Sequence, residues 1–191
     1  MSSVLEAPER AAVEHDRTAF NLAVWNKIVA DPEFAGMPYR FETDEHGQII
    51  LSPLATPSHG NKQSKICRLL WQHAPEGEVI SECPVSTRKG VKAVDVTWCS
   101  LEIWRESDGK SCLLHSPEIC VEVISPSNTS SEIEEKKQLY FEAGAKEVWL
   151  CAEDGTMKFF LPGSPVAASH LCPDFPAHID PSSKLRTREV G

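Results

Sequence analysis

Residues 118–125 read EICVEVIS, and this run decides the fold class. Within it, Ile119-Cys120-Val121-Glu122-Val123-Ile124 is apolar at every position except Glu122. A run of this kind, without polar alternation, marks a strand covered on both faces and predicts a place in the middle of a sheet. Downstream, residues 129–143 open with stacked cap candidates, pair Ser131 with Glu134 at capping-box spacing and stop at Gly144, which predicts a helix. Residues 147–151 and 157–161 then flank Glu153-Asp154-Gly155-Thr156, a hairpin with an Asp-Gly type of turn.

Upstream, residues 78–87 and 91–99 flank Arg88-Lys89-Gly90 and predict a further hairpin. Val94, Val96 and Trp98 alternate there with Ala93, Asp95 and Thr97, which turns Asp95 to the side opposite Val94 and Val96. Residues 58–73 carry Ile66, Leu69, Leu70 and Trp71 at helical spacing among Lys62, Lys65 and Arg68. Residues 39–53 place two short strands around His46-Gly47. Residues 18–30 predict a first helix with Phe20, Leu22, Ala23, Ile28 and Val29 on one broad side, ended by Asp31-Pro32. Residues 1–17 are polar and irregular, and the Pro- and Ser-rich stretch after Gly163 predicts an extended tail partly packed through Leu171 and Phe175. The expected organisation is a helical extension over 1–38, a domain over 39–162 and a tail over 163–191, with an α/β core of helices against a mixed sheet.

Composition bounds the function. At 191 residues with 41% hydrophobic and 25% charged positions, the chain has a globular makeup and enough length for one core. No run approaches the roughly 18 apolar residues of a membrane span, and the N-terminal stretch has no apolar signal core, so a membrane or secreted location is not expected. The seven cysteines form no CxxC pair, and several sit in apolar runs, which predicts reduced thiols and a cytoplasmic setting. A net charge of −9 argues against a broad nucleic-acid-binding surface, so a DNA partner would be held by a local patch or by metal.

Glu122 is the most informative position, because a buried carboxylate needs a cation, a metal or a proton. A structural salt bridge is the plainer account of it. Asp95 repeats the pattern on the neighbouring hairpin, so two strands can present two acids on one side. Such a pair repels unless a divalent cation neutralises it, and hard oxygen ligands favour Mg²⁺ or Mn²⁺. Paired acids also serve glycoside hydrolysis, although the low aromatic content, 7%, weakens that reading. On the helix over 129–143, with Ile133 at zero and about 100° per residue, Lys136 falls at about 300°, between Ala143 at about 280° and Tyr140 at about 340°. Lys136 therefore faces inward, where it either pairs with Glu122 or holds a water nucleophile, while Lys137 lies toward the flank.

The segments RFETDEHGQIILSP, PSHGNKQSKICRLL, ECPVSTRKGVKAVDVTW, PEICVEVISPSN and EEKKQLYFEAGAKEVWL resemble the Uma2 family of endonucleases, in the PD-(D/E)XK nuclease superfamily, over about residues 39–162. The resemblance implies a restriction-endonuclease-like core, a Mg²⁺- or Mn²⁺-dependent phosphodiesterase site, DNA as substrate and, by superfamily habit, a homodimer. It implies that Asp95 and Glu122, with the Val123 carbonyl, ligate the metal. Ile124 stands where the simple motif has its lysine, and Lys136-x-x-x-Tyr140 matches the helical lysine and tyrosine that take over in this family. Val94 replaces the proline of the motif, which contributes backbone shape and no ligand atom. Glu42 and His59 fall where the family has an acid in the first hairpin and a histidine opening the next helix; a solvated strand acid and a helix cap are the alternatives. Ser125 and Tyr140 are expected to support ligands rather than to react, and Glu82 either faces the same site or pairs with a lysine. A nuclease-like scaffold without catalysis is the competing expectation, motivated by the acidity.

Overall fold

The computed structural model describes residues 7–180, with side chains from residue 15. Four helices, α1 (Ala7–Ala30), α2 (Pro57–His73), α3 (Leu101–Glu106) and α4 (Ser130–Glu142), accompany eight strands. The strands are β1 (Tyr39–Thr43), β2 (Ile49–Pro53), β3 (Glu78–Thr87), β4 (Gly90–Cys99), β5 (Ile119–Val123), β6 (Glu147–Cys151), β7 (Met157–Leu161) and β8 (Ser164–Val166). The strands from β3 to β8 form one sheet in chain order, while β1 and β2 pair as a separate hairpin. Every pairing in the main sheet is antiparallel except β5 with β6, which α4 connects. The architecture is thus α/β with a mixed sheet, as the apolar run at β5 implies: all five of its residues are buried.

Two apolar layers sandwich the sheet. Ile66 and Leu70 of α2 pack with Val96, Trp98, Val121, Trp149, Phe159 and Phe175 on one side. On the other, Tyr140 of α4 packs with Cys83, Val85, Val94, Cys120 and Val148. Burying large side chains at about 25 cal/mol per Å² on both faces is what holds β5 and β6 in the centre. All seven cysteines are free, and six of them are buried.

Several local expectations are corrected. The inward residues of α1 are Asn21, Trp25 and Ile28, whereas Phe20 and Val29 are 41% and 62% exposed. The helix begins at Ala7, so residues 7–17 are helical rather than irregular, and residues 1–6 lie outside the described residues. Trp71 of α2 is exposed, and the buried positions there include Lys62 and Gln63. The capping box of α4 is formed by Thr129 and Glu132, two residues earlier than Ser131 and Glu134, because the Thr129 hydroxyl accepts the Glu132 amide while the Glu132 carboxylate accepts the Thr129 amide. After Gly163 the chain adds strand β8 and buries Cys172, Phe175 and Ile179, so it closes the core layer rather than trailing from it. Among the described residues no helix is long and apolar enough to cross a membrane.

Two irregularities prepare the functional region. The β3–β4 register runs from Glu78–Cys99 to Thr87–Gly90 but lacks the Glu82–Asp95 pair, and Glu82 has φ of 51°. A left-handed Glu costs on the order of 1–3 kcal/mol and persists only where its surroundings hold it. At the same point strict alternation fails, since Val94 joins the α4 layer while Val96 joins the α2 layer. Second, the β1–β2 hairpin docks across β4. Gly90 sits at φ +89°, and a Cβ there would lie 2.4 Å from the Thr43 and Asp44 carbonyl oxygens, so the approach requires glycine. The Val91 amide donates to Thr43 Oγ1 at 2.8 Å and Lys92 Nζ donates to the Thr43 carbonyl at 2.8 Å, completing the dock.

Candidate active site

The β4–β5 ladder ends at Val96–Val121, and one step further on each strand stand Asp95 and Glu122. The register alone therefore sets the two carboxylates opposite one another where the strands part. Asp95 is 1% exposed and Glu122 9%. Beyond the last ladder pair, the Val123 amide donates to Asp95 Oδ2 at 2.7 Å, so the side chain substitutes for the missing strand partner.

Each carboxylate is held by a different group of elements. Asp95 Oδ1 accepts from Arg40 Nη1 of β1 at 2.7 Å and from Gln63 Nε2 of α2 at 3.3 Å, and His59 Nε2 lies 3.3 Å away. Glu122 Oε1 accepts from the Tyr140 hydroxyl at 2.5 Å, and its Oε2 lies 3.6 Å from Lys136 Nζ. Lys136 Nζ also donates to Glu42 Oε1 at 2.9 Å, and that oxygen accepts the Ala93 amide at 3.3 Å. Glu82 closes the rim: its Oε1 accepts from Gln63 at 2.5 Å and its Oε2 lies 3.0 Å from Arg40 Nε.

The environment drives the two acids apart. Burial pushes the Glu122 carboxyl up to about 7, the nearby Asp95 charge adds to the rise, and Lys136, Arg40 and Tyr140 only partly oppose it. Burial also works against the Asp95 charge, but the His59 contact, Arg40 and the Val123 amide outweigh it and hold Asp95 below its ordinary value. Burial similarly disfavours the Lys136 cation, yet Glu122 and Glu42 raise its pKa above the usual lysine value.

The folded state keeps a proton on Glu122 that the unfolded chain releases above 4.5, so this contribution is full below that pH and is lost as pH rises through about 7. Metal-free stability should fall across that window by on the order of 3 kcal/mol from this group. Denaturant melts from pH 4.5 to 7.5 should show the slope in wild type and a flatter line in Glu122→Gln; equal slopes would remove the assignment.

The structure brings Asp95, Glu122, Lys136, Tyr140, Glu42, His59 and Glu82 together, with the Val123 backbone beside them. Ser125 is not part of this group: its amide and hydroxyl both donate to Asn128 Oδ1 and it shapes the turn after β5. Lys137 turns away, pairing with Glu134 at 2.7 Å and lying over the Phe160 ring. Sequence reasoning missed Arg40, Gln63 and Lys62. Arg40 lies two residues before Glu42 on the same strand face and Gln63 four after His59 on the same helix face, so both could have been found by spacing. Lys62 is 4% exposed and pairs with no carboxylate among the described residues.

The donor chemistry fits a hard divalent cation. Two carboxylates and a backbone carbonyl are a sufficient protein set for Mg²⁺, which keeps several waters. Among the described residues no group of three or more His, Cys, Asp or Glu side chains is poised to hold a metal ion, so the remaining positions would fall to water and substrate.

Comparisons with known proteins agree with the topology. The crystal structure titled a "putative nuclease belonging to DUF820" from Anabaena variabilis superposes with a TM-score of 0.55 at 16% identity, covering 65% of this chain and 73% of that one. At that identity the likeness concerns the fold. No curated protein matches the chain. A family model described as "Putative restriction endonuclease" matches residues 31–171, a span that takes in β1, both carboxylate strands and α4, and the chain therefore belongs to the Uma2 family.

Proposed function

We propose that the chain is a metal-dependent endonuclease that hydrolyses phosphodiester bonds in DNA. The observation that carries this reading is the Asp95–Glu122 pair, facing across the parted β4 and β5 strands with Lys136 3.6 Å from Glu122. Asp95, Glu122 and the Val123 carbonyl would hold Mg²⁺ or Mn²⁺. The bound ion supplies charge stabilisation at the phosphate and at the attacking oxygen.

The remaining work belongs to the chain's own residues. Lys136, held between Glu42 and Glu122, is placed to orient the attacking water and to offset negative charge on phosphorus oxygens. Tyr140 fixes the Glu122 rotamer, and His59 with Gln63 fixes Asp95, so neither carboxylate has to reorganise when charge develops. With net charge −9, the surface offers little general attraction for DNA, and binding depends on this pocket and its cations.

Supercoiled plasmid and end-labelled oligonucleotides incubated with Mg²⁺ or Mn²⁺ should be cut, and EDTA should stop the reaction. Cutting that continues in EDTA would contradict the metal role. A protein that cuts neither DNA nor RNA under either ion would be a nuclease-fold binding module instead.

A further inference from the structure

Arg40 has no part in the chemistry described above, yet it holds the centre of the site. Its Nη1 donates to Asp95 Oδ1 at 2.7 Å, its Nη2 donates to the Ala93 carbonyl, and its Nε lies 3.0 Å from Glu82 Oε2. The side chain is only 20% exposed. Asp95 Oδ1 has no acceptor capacity left. Oδ2 takes the Val123 amide, and Oδ1 already faces Arg40, Gln63 and His59. A carboxylate oxygen offers about two lone-pair directions, so a cation that reaches Oδ1 has to take a donor's place. Two positive groups on one oxygen also repel strongly in a poorly solvated pocket.

Glu82 offers the guanidinium somewhere to remain. Its side chain is 43% exposed, against 1% for Asp95, and its left-handed backbone breaks the ladder opposite Asp95. Gln63 holds its other oxygen at 2.5 Å, so this second anchor is fixed at the rim.

We propose that Arg40 is the resident counter-cation of Asp95, that a divalent ion reaching Asp95 Oδ1 displaces its guanidinium, and that Glu82 retains the displaced group at the rim. The inference rests on the metal reading given above. Arg40 is then a positioning residue that sets how tightly the site takes its ion. It neutralises Asp95 while no ion is bound, as Lys136 stands beside Glu122, and an unpaired buried acid is otherwise costly.

Mn²⁺ calorimetry on the full chain and on Arg40→Gln tests this, together with ¹⁵N NMR of the Arg40 Nε–H, assigned by its loss in that variant, during Mg²⁺ titration of wild type. Removing a close like charge should tighten Mn²⁺ binding about tenfold or more. The Nε–H resonance should move along the same isotherm as metal binding. If wild type binds Mn²⁺ but Arg40→Gln binds it equally or more weakly, or if the resonance stays still at saturating Mg²⁺, the displacement is wrong and the metal site stands. If neither protein binds Mn²⁺, the metal reading fails and the inference fails with it. The NMR arm needs only wild type for its titration, so it decides the question even where the variant folds poorly.

Discussion

Glu122→Gln is expected to lower metal-dependent cleavage by at least about 10²–10³-fold, the size of losses seen when a group stabilising transition-state charge is removed. The substitution keeps the shape of the side chain and leaves Oε1 as an acceptor for the Tyr140 hydroxyl. Lys136 loses one anion but keeps Glu42 at 2.9 Å. The fold should therefore survive, and at pH near 5 the variant should melt close to wild type, because Glu122 is itself protonated there. Asp95→Asn is the harsher change. It strips a charge from a carboxylate that faces Arg40, His59, Gln63 and the Val123 amide, and breaking a buried pair of this kind costs about 3–5 kcal/mol. Loss of cleavage in Asp95→Asn thus needs a melting curve beside it, whereas the same loss in a well-folded Glu122→Gln reports on the site. Cleavage within a few-fold of wild type in Glu122→Gln would take this residue out of the chemistry.

Lys136→Met should reduce kcat by about 10²–10⁴-fold, the range for a side chain that manages proton position at the reacting group. Mn²⁺ affinity should not fall, because the change removes a positive charge 3.6 Å from a proposed ligand. That split separates a role in the reaction from a role in holding metal, and a merely structural lysine would not produce it. Lys137→Met serves as the control, since Lys137 is engaged with Glu134 and Phe160 on another side of α4. Kinetics that leave Lys136→Met unchanged and impair Lys137→Met would reverse the choice between the two lysines.

Much of the arrangement was legible in residue order because β5 leaves few alternatives. An unbroken apolar run must be central, and one acid inside it must meet a partner; the strand, the hairpins beside it and the inward face of Lys136 all follow from period and charge. What stayed hidden depends on backbone detail. Alternation predicts Asp95 opposite both Val94 and Val96, yet these valines enter different core layers because the ladder opens at Glu82. Nothing in the letters ISECPV announces a left-handed glutamate, since a residue with a Cβ is expected at negative φ. Arg40 was obscured for a different reason. Arginine in a strand flanking a turn usually reads as a solvated cation, and only the docking of β1–β2 onto β4, through Thr43, Gly90 and Lys92, carries it into the acidic pocket. Ser125 shows the opposite error: its place after the acidic strand invited a supporting role, but a neighbouring acceptor, Asn128, captures it. In the tail, packing through Leu171 and Phe175 was legible, whereas Pro and Ser masked the spacing of Cys172 and Ile179, which are buried in the same layer.

The central claim is that Asp95 and Glu122 form a divalent-cation site, and Mn²⁺ calorimetry on wild type and Glu122→Gln at pH 7.5 tests it most directly, above the value of about 7 at which Glu122 gives up its proton. One saturable site in wild type, weakened at least tenfold in the variant, is the result the account predicts. Binding of equal strength in both proteins, or none in either, would contradict it and leave the two acids, Arg40 and Lys136 as a structural ion cluster.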